Sequence, residues 1–194
     1  MPYKNNILFL HMPRTGGKAI VKAMGLKDEH SEQNLYSDIQ AYQHYTARMI
    51  VNMGKEWDHA FAIVREPVSR ITSEWYGRYE YYKIIGKTKG VRAEDAFVQI
   101  CKNNKNTFGH YGRFSSYENM FKGIKDLRLL NFADLAKEWK KMLAEWELPW
   151  DQELEVMGKT KSRGKIKLSY EAKQEIAELH KSDYSYLENL GFKF

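Results

Sequence analysis

Apolar residues along the chain follow two rhythms. "NILFL" (6–10) and "HAFAIV" (59–64) are short unbroken apolar runs, the signature of strands buried on both faces, and "DLRLLNF" (126–132) reads as a third strand. After each run, apolar residues recur at helical spacing. Ile20, Val21 and Met24 do so in "KAIVKAMGL", and Val68, Ile71, Trp75, Tyr79 and Tyr82 make one stripe along "REPVSRITSEWYGRYEYY". "AEDAFVQIC" and "DLAKEWKKMLAEW" read as further helices, the second ended by Pro149, and "TARMIVNMG" as a short helix stopped by Gly54. The tail 168–192 reads as one or two helices with Gly191 as the stop. "GKTKG" (86–90) is expected to close the helix that starts near Pro67, and the polar stretches 25–43 and 102–116 are expected to be mainly loop. Strands alternating with helices predict an α/β protein, its parallel sheet covered on both faces, with residues 1–194 forming a single domain.

Ligands of such sheets bind outside the carboxyl ends of the strands, and two motifs fall there. The first is "HMPRTGGKAI", between the first strand and the first helix. Set against a Walker A loop, Met12–Ala19 places Gly17 and Lys18 correctly, but Met12 replaces the first glycine and Ala19 the Ser/Thr that would hold magnesium. A glycine turn at a helix start offers backbone N–H groups to a phosphate-like anion, and Arg14 and Lys18 add charge beside it. Without a hydroxyl at Ala19, metal-assisted phosphoryl transfer is disfavoured. Transfer of a less charged group could be served by amides and cations alone. The plainer alternative is a strand-to-helix turn with two surface cations.

The second motif is "IVREPVSRITSEWY". Arg65 ends a strand, and Ser69 and Ser73 lie four apart on one face of the following helix, so that a phosphate could sit among them. The alternative is an Arg65 paired with a carboxylate and two solvated serines.

Together the motifs resemble a known family. "FLHMPRTGGKAI" is similar to the 5'-phosphosulfate loop, "HIPKTGGTS", of sulfotransferases that use 3'-phosphoadenosine 5'-phosphosulfate (PAPS). "IVREPVSRITSEWY" is similar to their 3'-phosphate motif, "VRDPxxRxxSxY", and the two stand about 50 residues apart in the order the family has them. The closest patterns are those of carbohydrate sulfotransferases and their bacterial counterparts. The resemblance implies a P-loop-like three-layer sandwich with a mainly parallel central sheet flanked by helices. It implies PAPS as co-substrate, no metal, and in-line transfer of the sulfuryl group to a hydroxyl or amine.

Carried over by position, Arg14 stands at the family's loop lysine, holding the bridging oxygen and stabilising the charge that leaves with the nucleotide. Thr15, Gly16 and Gly17 match directly and would supply amides. Lys18 and Ala19 replace Thr and Ser, which removes two hydroxyls and adds a cation. Arg65 and Ser73 match the 3'-phosphate pair. "GKTKSRGK" (158–165) resembles the basic segment that closes over the nucleotide, making Lys159, Lys161, Ser162, Arg163 and Gly164 candidate lid residues, with an exposed connector as the alternative.

Transfer also needs a base. Six histidines are available: His11, His30, His44, His59, His110 and His180. "QHYTARMIVNMGKEW" resembles the "HxTA" segment before the second strand in bacterial members, which favours His44 as general base, with Glu74, Glu80 and His110 as reserves.

Composition narrows the partners. Thirty-one Lys+Arg against 25 Asp+Glu give a net charge of +6, which suits an anionic ligand but is no polybasic tail. No nucleic-acid recognition motif stands out, so no nucleic-acid partner is expected. The N-terminal residues hold neither a secretory apolar core nor a membrane span, so a soluble cytoplasmic protein without a stable membrane anchor is expected. The single cysteine, Cys101, allows no internal disulfide and reads as a buried thiol. The acceptor is expected to be a carbohydrate or other small molecule, and the sequence leaves oligomeric state open. Two other functions fit the residues: a P-loop kinase or nucleotide hydrolase, and a nucleotide-binding module without catalysis.

Overall fold

The computed structural model describes residues 3–26, 46–54, 56–105, 114–155 and 167–194. The chain divides into two compact units, one of residues 1–65 and 120–158, the other of 66–119 and 159–194.

The first unit holds a four-stranded sheet in the order β1 (Tyr3–Lys4), β2 (Ile7–Leu10), β3 (His59–Val64), β4 (Leu127–Asn131). β2, β3 and β4 are parallel, with Ile7 opposite His59 and Ala60 opposite Leu127, as expected of an α/β fold. β1 is an antiparallel edge absent from the sequence reading. Asn5 and Asn6, both in the left-handed region (φ 52° and 58°), make the two-residue turn that folds it back on β2.

β2 is buried throughout and β3 from Ala60 onward, which is why neither sequence alternates polar with apolar. Ile7, Phe9, Phe61, Ile63 and Leu130 share one sheet face. They pack against α1 (Gly17–Ala23) and α6 (Leu135–Glu145) through Ile20, Val21, Trp139, Met142 and Leu143. α2 (Ala47–Asn52) is capped by the Thr46 hydroxyl and followed by Gly54 at φ 62°. α6 ends at Glu145, short of Pro149, because Glu147 turns left-handed (φ 51°) and the Leu148 N–H returns to the Leu143 carbonyl.

The second unit is helical, with α3 (Pro67–Lys89), α4 (Ala93–Asn104), α7 (Tyr170–Leu179) and α8 (Lys181–Asn189), while the short α5 (Tyr117–Phe121) runs across the division at residues 119 and 120. The stripe on α3 is core, with Ile71, Trp75 and Tyr82 buried against Phe97, Cys101 and Ile176. Cys101 is indeed a buried thiol, its pKa pushed up by desolvation. α3 bends at Arg78, directly after Gly77, and closes within the expected "GKTKG", at its last residue. Gly86 sits inside the helix because a Cβ there would lie 2.8 Å from the Val91 carbonyl, and Gly90, at φ 67°, is the stop. α4 likewise extends to Asn104, into the stretch read as loop. Residues 27–43 and 106–113 of the expected loops lie outside the described residues.

Candidate functional site

The glycine turn is built from its own backbone. After β2 the chain turns at Arg14, whose φ of 67° is left-handed, and again at Gly16, φ 87°, the N-cap of α1. The buried Thr15 hydroxyl donates to the Met12 carbonyl at 2.7 Å, so this side chain closes the turn. The Ala19 N–H bonds the Gly16 carbonyl at 3.0 Å, leaving the N–H groups of Gly17 and Lys18 with no acceptor inside the helix. Lys18 is exposed and Ala19 half-buried.

Gly17 is required by a neighbour. The buried His11 ring stacks on Phe9, with centroids 5.3 Å apart and planes at 18°, and its far edge presses on the turn. A Cβ on Gly17 would fall 1.8 Å from His11 Nε2. Any side chain at position 17 would therefore require the His11 ring to move.

Arg65, at the end of β3, closes on the turn. Its Nη1 donates to the Arg14 carbonyl at 3.2 Å, and its guanidinium lies over the Phe132 ring, 4.6 Å from the centroid. Phe132 opens the 3-10 turn that follows β4, and it also backs the glycine turn: a Cβ on Gly16 would lie 3.2 Å from its ring. The carboxyl ends of all three parallel strands are thereby tied at one place. Arg14 follows β2, Arg65 follows β3 and Phe132 follows β4. Sequence reasoning missed Phe132, taking it as the last residue of a strand; its position directly after an apolar run was the available signal.

The rest of the second motif lies in the helical unit. Glu66 is the N-cap of α3, accepting from the N–H groups of Val68 and Ser69, with Pro67 in the first turn. Tyr184 donates its hydroxyl to Glu66, and burial with that carboxylate pushes the phenol pKa up. Arg70, which the sequence reading did not single out, is fully buried; it donates to the Ser115 carbonyl at 2.8 Å and lies over Tyr117. Ser69 and Ser73 are half-buried, four apart on α3 as expected.

Among the candidate bases, Glu74 is fully buried, accepts from the Tyr82 hydroxyl at 3.3 Å and lies 3.5 Å from Arg78. It is part of the core of its unit. Glu80 is exposed and pairs with Lys83. His59 stacks on Trp146, and His180 is buried against Asp183. His30, His44 and His110, with Lys159, Lys161, Ser162, Arg163 and Gly164, lie outside the described residues. Among the described residues, no helix is long and apolar enough to cross a membrane, and no group of three or more His, Cys, Asp and Glu could hold a metal ion.

A parallel sheet with a glycine turn and a basic residue gathered at its carboxyl ends defines an α/β protein of the kind that takes its ligand there. Residues 2–142 match the family model described as the sulfotransferase family, and the chain belongs to that family, whose chemistry is transfer of a sulfuryl group. No curated protein and no solved structure matches the chain.

Proposed function

We propose that the protein moves a sulfuryl group from PAPS to a hydroxyl or amine, with a carbohydrate as acceptor. The observation that carries this reading is the bond from Arg65 to the Arg14 carbonyl, since it joins the two sequence motifs that resemble the 5'- and 3'-phosphate elements of a PAPS site. The residues present suit such a donor. The turn offers amides without helical acceptors, Arg14 and Lys18 bring charge, and Ala19 supplies no hydroxyl for a magnesium ion. When bound, the donor supplies the sulfuryl group and leaves as 3'-phosphoadenosine 5'-phosphate.

In this reading the turn amides, Arg14 and Lys18 hold the 5' end and stabilise charge developing on the leaving oxygen. Arg65 serves the 3'-phosphate, with Ser73 as its partner in the motif. His44 takes the acceptor proton, a role for which buried Glu74 is unsuited, and Lys161, Ser162 and Arg163 close over the nucleotide. The test is transfer of radiolabelled sulfate from PAPS to a panel of sugars and simple phenols, with and without a chelator. Chelator-resistant labelling of a sugar is expected, and His44→Ala should lower its rate about 10²–10⁴-fold. Labelling of phenols alone would overturn the acceptor. Absence of transfer together with magnesium-dependent hydrolysis of ATP would overturn the whole reading in favour of a P-loop kinase or hydrolase.

A further inference from the structure

Resting on the donor site proposed above, we propose that His11 is a positioning residue that sets the shape of the donor turn through Gly17. Three observations converge on it. The ring is buried at the end of β2, one residue before the turn begins at Met12, and it stacks on Phe9, itself fully buried. Its Nε2 edge occupies the space in which any side chain at position 17 would have to lie. Gly17 opens α1, and its N–H is one of the two that the turn leaves without a helical acceptor. The imidazole is thus a rigid wall between the sheet core and the backbone that meets the donor. Its plane is fixed by Phe9, and Phe9 is fixed in turn by Phe61 at 4.7 Å.

This contact also gives a reason for the second glycine of "TGG". A left-handed backbone accounts for Gly16 at φ 87°, but α1 begins at Gly17 with no such demand on its backbone, and what excludes a side chain there is the histidine. His11 touches no reacting atom in this scheme. Its effect is on how the amides of Gly17 and Lys18 are aimed, so it should govern donor affinity more than turnover.

The test is a double-mutant cycle on the full chain with His11→Ala, Gly17→Ala and the pair, reading the Kd for 3'-phosphoadenosine 5'-phosphate, the KM for PAPS, kcat at saturating PAPS and thermal unfolding. His11→Ala is expected to raise Kd and KM at least tenfold while kcat stays within about threefold. Gly17→Ala should abolish binding in the parent chain but cost little more than His11→Ala alone once His11 is gone, because the methyl then enters the vacated space. Should His11→Ala fail to fold, His11→Gln, which keeps length and a polar end, carries the same comparison with an intermediate loss. A lowered melting temperature with Kd within twofold of the parent would overturn the inference and leave His11 as packing. Equal losses from Gly17→Ala in both backgrounds would overturn it too. If the parent chain binds no bisphosphate, the donor reading falls and this inference with it, a result distinct from parent binding that His11→Ala leaves unchanged.

Discussion

At the scale of single residues, the turn spends conformational energy to present its groups. Arg14 holds a left-handed backbone that costs an ordinary L-residue about 1–2 kcal/mol and costs glycine almost nothing. Arg14→Gly should therefore raise the stability of the first unit by about 1 kcal/mol, read as a higher midpoint in thermal unfolding, while weakening bisphosphate binding. A fall in both would mean that the arginine side chain stabilises the fold itself. Part of this turn was legible beforehand: residue type and spacing marked its glycines, Arg14 and Arg65, and Thr15 was added by the family resemblance. The roles of Thr15 and His11 were not. Whether a threonine offers its amide outward or its hydroxyl inward depends on where the Met12 carbonyl lies, and pattern cannot supply that. Arg65 likewise reads as a ligand residue in sequence, yet it also braces the turn through the Arg14 carbonyl.

At the scale of elements, the two buried parallel strands after the edge were the easiest to read, because unbroken apolar runs of four to six residues have few other uses. The misreadings were at weak local signals. "GKTKG" does close α3, but only at Gly90; its first glycine, Gly86, lies inside the helix, where the lack of a side chain serves a close approach by Val91. The Asn5–Asn6 turn was a usable hairpin signal that the short β1 obscured. α8 carries a pH-dependent contact of its own. His180 Nδ1 lies 2.8 Å from Asp183, whose other oxygen accepts the Tyr117 N–H at 2.8 Å. Burial lowers the His180 pKa against the opposing pull of Asp183, and Arg70 and Lys105 lower it further. The sign follows: in acid the unfolded chain takes up a proton that the folded imidazole resists, so stability falls as pH drops below the ordinary imidazole value of 6.5. Melting followed from pH 8 to pH 5 should show this loss, up to about 1.4 kcal/mol per pH unit, and His180→Gln should flatten it. An unchanged slope in the variant would remove His180 as its source.

At the scale of the whole molecule, the proposed donor site is the place where Arg65, Arg14 and Phe132 tie together the carboxyl ends of β2, β3 and β4. The α/β class followed from the alternation of elements, and the family match covers both motifs. What pattern could not supply is the acceptor, because chain segments that shape an acceptor pocket carry no periodic constraint that a sequence would betray. The measurement that tests the proposed donor site most directly is calorimetric titration of the full chain with 3'-phosphoadenosine 5'-phosphate, beside ATP with and without magnesium, repeated on Arg65→Ala. Metal-independent binding of the bisphosphate is expected, weakened about 10–100-fold by the substitution, the range that follows from losing a charged hydrogen-bonding group. Binding of magnesium–ATP with no binding of the bisphosphate would contradict the proposal.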